Sequence, residues 1–173
     1  ETFGGLHKKY SVEPDMMMLG KTLGNGYAIT AVLGKEDIMK VAQDTFISST
    51  FWTERIGPSA AIKTLEVMER EKSWEKITET GKQIGKRWQD LANEYDLPIE
   101  ISGLPSLVNF NIPVNNWLKY KTLITQEMLK NGFLSSNAVY VCIDHKIKII
   151  DEYFENLAPV FSIIRDCESG RDI

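Results

Sequence analysis

Leu19-Gly-Lys-Thr-Leu-Gly-Asn-Gly-Tyr27 is the stretch on which the reading of this chain turns. It sets one lysine, Lys21, between Gly20 and a Gly24-x-Gly26 pair, directly after the apolar run Met16-Met-Met-Leu19. An apolar strand that ends in a glycine-lined turn lets a flat ligand approach the backbone and presents a side chain to a cleft. A lysine held there, once desolvated, becomes a nucleophilic amine that condenses with a carbonyl to a Schiff base. A solvated lysine in a surface turn is the alternative that these residues alone leave open.

The flanking sequence adds parts in a fixed order. Phe3-Gly-Gly5 and Val12-Glu-Pro-Asp15 precede the lysine segment. Ala28-Ile-Thr-Ala-Val-Leu-Gly34, then Ser48-Ser-Thr50, then a helix start at Gly57-Pro58 follow it. This series resembles the class III pyridoxal-phosphate aminotransferases, and within them the glutamate-1-semialdehyde 2,1-aminomutase-like group. The resemblance is strong over residues 1–70 and a matter of layout beyond. Several parts in order are more specific than a lone glycine motif.

The resemblance implies an α/β chain of the pyridoxal-phosphate-dependent transferase fold type I. Residues 1–70 would be the C-terminal part of the cofactor-binding large domain, and residues 71–173 a small α+β domain. It implies that Lys21 is both catalytic and cofactor-binding, carrying pyridoxal 5′-phosphate as an aldimine and then moving a proton. Thr50, with Ser49 beside it, would hold the cofactor phosphate across a homodimer interface. A small amino or keto compound is the implied substrate. The resemblance further implies a longer polypeptide with the ring-nitrogen aspartate upstream of Glu1, so that these residues alone are not expected to catalyse. Thr53-Glu-Arg55 stands where many members have Gly-Asn-Pro, which leaves open an amino-sugar enzyme of polysaccharide biosynthesis. A non-catalytic remnant of the fold is a further alternative, against which the retention of Lys21 and Thr50 together argues.

Bulk properties exclude other classes. The chain has 173 residues, 43% hydrophobic and 25% charged, with a net charge of −4. That is the composition of a globular domain and supplies no field for nucleic acid or an anionic membrane. No apolar run approaches a membrane span. Cys142, Cys167, His7 and His145 make no metal-ligand spacing and no disulfide framework, so no metal is expected and a cytoplasmic setting is the default. No lysine follows Gly24-Asn-Gly26 at Walker spacing, which argues against nucleotide binding. Glu54 and Arg55 are candidate substrate groups, Arg55 for a carboxylate; a solvated or interface ion pair is the alternative. Trp52 reads as packing, and both histidines as solvent-facing.

Periodicity predicts the remaining elements. Strands are expected at 15–19 and 28–33, and a short helix at 35–42. A helix begins near Gly57, with Pro58 in its first turn. A longer one follows, with Ile77, Ile84, Trp88, Leu91 and Tyr95 on one face turned to a sheet. Val108, Phe110 and Ile112 alternate on a half-buried strand. Residues 117–130 form a helix that Asn131-Gly132 closes. Strands are expected at 133–135 and 139–143. The last helix, 146–165, is expected to kink or break at Pro159, and the polar tail 168–173 to fray.

Overall fold

A computed structural model of the chain describes residues 1–171. It divides into two units, one running through Trp74 and the other starting at Glu75.

In the first unit, β1 (Met16–Leu19) pairs antiparallel with β2 (Ala31–Gly34), Met16 opposite Gly34 and Leu19 opposite Ala31. Asp15 continues the ribbon without being strand: its carbonyl accepts the Lys35 N–H at 3.0 Å. Its carboxylate meets Lys35 Nζ at 2.7 Å. That hydrogen bond, with the charge behind it, holds Asp15 below the usual carboxylate range. β2 begins three residues later than the strand expected at 28–33. The Ala28 carbonyl and Ile29 are instead turned to Gly57, where a Cβ would lie 2.8 Å from that oxygen.

The short helix expected at 35–42 is α-helical only over α1 (Glu36–Lys40), and Val41–Asp44 tightens to a 3-10 turn. Glu36 and Asp37 occupy the first turn of α1, where the helix dipole favours acids. Helix α2 (Ile56–Glu71) ends at Lys72, whose left-handed φ of 47° turns its N–H back to Met68 and Glu69.

Helix α3 (Ser73–Glu94) leads into the second unit. There β3 (Glu100–Leu104), β4 (Leu107–Asn111) and β5 (Ala138–Tyr140) form an antiparallel sheet in that order. Helix α4 (Trp117–Lys130) links β4 to β5, and α5 (Ile147–Glu168) ends the unit. One core contains the whole α3 stripe. Ile84, Trp88 and Leu91 are buried, while Ile77 and Tyr95 pack at its margin. Val108, Phe110 and Ile112 enter from β4 and its continuation. The ring of Phe110 lies 4.7 Å from Trp88 and 6.0 Å from Phe161. Trp88 donates its indole N–H to the Tyr153 hydroxyl at 3.0 Å, which satisfies a buried polar group. Gly81 lets α3 cross the β3–β4 hairpin closely: a Cβ there would lie 1.7 Å from the Pro105 carbonyl oxygen.

Four expectations are corrected here. Residues 133–135 form no strand, because Phe133 is drawn into the helix stop: its N–H reaches Met128, and that of Gly132 (φ 83°) reaches Leu129. The strand expected at 139–143 is Ala138–Tyr140. Pro159 does not interrupt α5, which runs through it; the proline is exposed, so the turn it leaves without a donor faces water. The tail does not begin at Glu168, which still belongs to α5; Ser169 and Arg171 bond back to Arg165 and Asp166. Residues 172–173 of that expected tail lie outside the described residues.

Candidate active site

Lys21 opens a single 3-10 turn, Lys21–Leu23, directly after β1. The Leu23 N–H bonds the Gly20 carbonyl at 3.1 Å, and Asn25 bonds the Lys21 carbonyl at 3.2 Å. To make that turn Lys21 adopts φ 46°, the left-handed region that costs a non-glycine residue on the order of 1 kcal/mol. The cost is borne by a residue with a long cationic side chain where a glycine would sit free of strain. Asn25 (φ 46°) and Gly26 (φ 106°) complete the reversal. Gly24 is buried, and a Cβ on it would lie 2.1 Å from the Tyr27 carbonyl oxygen and 2.7 Å from Ile29 Cγ2. Gly24 therefore lets the turn close on itself, and the Lys21 side chain is exposed. The desolvation expected around this amine is not found in the chain by itself.

Ser48, Ser49 and Thr50 lie in an exposed turn of the same unit. Ser49 Oγ accepts the Phe51 N–H at 3.3 Å, which fixes its oxygen and leaves its O–H to donate. Among the described residues no hydrogen bond joins Lys21 to Ser49 or Thr50. The Phe51 carbonyl accepts the Glu54 N–H at 3.1 Å and closes the turn.

Glu54 answers the question that sequence left open. Its carboxylate forms no ion pair with Arg55; it accepts the N–H of Ile56 and, at 2.9 Å, that of Gly57. It thereby satisfies two free donors at the start of α2. The signal was a glutamate just before Ile-Gly-Pro, a helix start by composition, but glutamate is not a usual cap and its role was missed. Helix α2 in turn packs on the 3-10 turn that bears Lys21. Arg55 is exposed.

Other expectations are corrected. Trp52 does not pack; it is 65% exposed. His7 and His145 are half-buried, and His145 Nδ1 accepts the Cys142 N–H at 3.1 Å. Both cysteines are free thiols. Among the described residues no group of three His, Cys, Asp or Glu could hold a metal, and no helix is long and apolar enough to cross a membrane.

Comparison with known proteins places these features. The chain is 33% identical over 150 residues to a 3-aminobutyryl-CoA aminotransferase of Cloacimonas acidaminovorans (strain Evry), an alignment covering 83% of this chain and 36% of that protein. It is 22% identical over 179 residues to a glutamate-1-semialdehyde 2,1-aminomutase of Sulfurihydrogenibium azorense, covering 94% of this chain and 42% of that one. The FumI protein of Sphingopyxis sp. MTA144, solved in its PLP internal aldimine form, superimposes with a TM-score of 0.85 at 20% identity, over 96% of this chain and 41% of FumI. The fold is therefore a portion of the fold type I architecture of pyridoxal-phosphate transaminases. The chain spans little more than a third of the first of these relatives. The family model of the class-III aminotransferases matches residues 1–155, and the chain belongs to that family.

Proposed function

We propose that this chain is the lysine-bearing portion of a pyridoxal-5′-phosphate-dependent aminotransferase. Residues 1–70 form the C-terminal part of its cofactor-binding large domain, and residues 71–173 its small domain. The observation that carries the reading is Lys21 on a left-handed backbone at the end of β1, over a glycine turn that admits no Cβ at Gly24.

The donor set fits the cofactor. A primary amine meets an aldehyde, and the hydroxyls of Ser49 and Thr50 with the Thr50 N–H meet a phosphate. Pyridoxal phosphate, when bound, supplies the electron-withdrawing ring that makes a proton beside the substrate amine removable. Lys21 Nζ would be the attachment point and, once displaced, would be the base that takes this proton and returns it to the carbon on the far side of the amine nitrogen. Ser49 donates its free O–H, because its oxygen is already engaged by Phe51. Phe46 is 95% exposed, and Phe51 and Trp52 stand in solvent near Thr50. An apolar surface of that kind supports a homodimer in which a second copy covers this segment. The two free cysteines fit a reducing cytoplasm.

The substrate is a small amino or keto compound. The 33% identity to an aminotransferase supports transfer between two molecules. The weaker likeness to an aminomutase supports a glutamate-1-semialdehyde-type transfer within one. Borohydride reduction of the enzyme at its relatives' length, after incubation with pyridoxal phosphate, decides the assignment. A pyridoxyl label confined to Lys21 and absent from Lys21→Ala is the expected result. Label scattered over surface lysines would leave only the fold in common. Amino donors and acceptors supplied separately then distinguish the two modes of transfer.

A further inference from the structure

We infer that Glu54 is a positioning residue for the cofactor phosphate, an inference that rests on the cofactor reading above. Three observations make one physical chain. First, the Glu54 carboxylate bridges the N–H groups of Ile56 and Gly57, the latter at 2.9 Å, while its own N–H is bonded to Phe51 at 3.1 Å. The residue thus ties the Ser49–Thr50 turn to the first turn of α2 from both of its ends. Second, Gly57 seats α2 against the segment that follows the lysine turn. A Cβ at that position would stand 2.8 Å from the Ala28 carbonyl oxygen and 3.2 Å from Ile29 Cβ. Third, Ile29 lies against Gly24, which closes the turn begun by Lys21.

Among the described residues no direct hydrogen bond joins the hydroxyl turn to the lysine turn; Glu54 ties the first to the start of α2, and Gly57 seats α2 beside the segment that closes the second. A carboxylate at this helix start has a second consequence. It already occupies the two N–H groups that an anion would otherwise take, so the phosphate must use the Ser49–Thr50 donors in front of it and not α2 itself. Glu54 does not touch the cofactor; it sets where those donors stand.

Pyridoxal, which lacks the phosphate, makes the test specific. Affinities of pyridoxal phosphate and of pyridoxal are measured by absorbance titration of the enzyme at its relatives' length, for wild type, Glu54→Ala and Glu54→Gln, with melting temperatures alongside. Glu54→Ala is expected to weaken pyridoxal phosphate about tenfold, the scale of one charge-assisted hydrogen bond, and to leave pyridoxal unchanged. Glu54→Gln keeps one acceptor oxygen and should lose less. Equal losses for both ligands would show a merely structural cap and overturn the inference, as would no loss for either. Wild type trapped on Lys21 with a neutral Glu54→Ala sinks this inference alone. A wild type that traps no cofactor on Lys21 sinks the cofactor reading with it.

Discussion

The two units keep their shapes by different means. Through Trp74 the buried residues are Gly24, Gly57, Ala61 and Ser73, and not one is a large apolar side chain. Beyond it a single cluster fully buries Trp88, Phe110, Tyr120 and Phe161 among aliphatic neighbours. The second unit has a core of close-packed side chains, the main source of folding free energy. The first has a short ribbon, glycine crossings and caps, all of which fix geometry and bury little. The unit that holds the candidate site is thus shaped by backbone and buries no large apolar side chain of its own.

Amide exchange is the measurement most able to break this contrast. In the chain alone, amides of β4 and α5 are expected to exchange about a thousandfold or more slower than those of β1 and β2. Equal protection would mean that the first unit has stability of its own. Aromatic truncation sharpens the same point. Phe110→Ala should cost about 3–5 kcal/mol in urea unfolding, whereas Phe46→Ala should stay within about 0.5 kcal/mol.

Alkaline pH should act through the second unit. Burial, partly offset by hydrogen bonds with Trp88 and Ser135, pushes the Tyr153 phenol up to about 12 from an ordinary 10.0. Tyr120 is also raised to about 12, by burial first and then by its hydrogen bond to Glu168. The folded state holds these protons more tightly than the unfolded chain. Their stabilising contribution is therefore complete below pH 10 and is lost as pH rises through 12. Tyr153→Phe should flatten the pH 10–12 dependence of urea midpoints by about 2–3 kcal/mol. Gly81→Ala should cost about 1–3 kcal/mol by forcing α3 off the Pro105 carbonyl, read as a lower melting temperature.

Sequence legibility followed the same division. Where side chains decide, the pattern was readable: α4 spans Trp117–Lys130 as its periodicity predicts, and the alternation of Val108, Phe110 and Ile112 is the buried face of β4 and its continuation. β3 carries no such pattern: Pro98, Gly103 and Pro105 punctuate its stretch of sequence, yet Gly103 (φ 88°) is strand-paired with Val108. At the site, the lysine turn and the hydroxyl turn were visible as residue types in order. The left-handed backbone at Lys21 and the capping by Glu54 were not, since both depend on where the chain turns and not on what its side chains prefer.

The β1–β2 ribbon has a consequence for handling the molecule. Both of its outer edges lack a strand partner among the described residues, and Met18, 83% exposed, stands beside Val32 and Leu33 in solvent. Unpaired, apolar and free of proline, such an edge is a template for intermolecular strand addition. The Asp15–Lys35 pair, with Glu13 close enough to act on Lys35, places charge at one end of the ribbon, while the strands themselves carry none. Through this edge the chain should self-associate at the end that holds the candidate site, while the second unit stays folded.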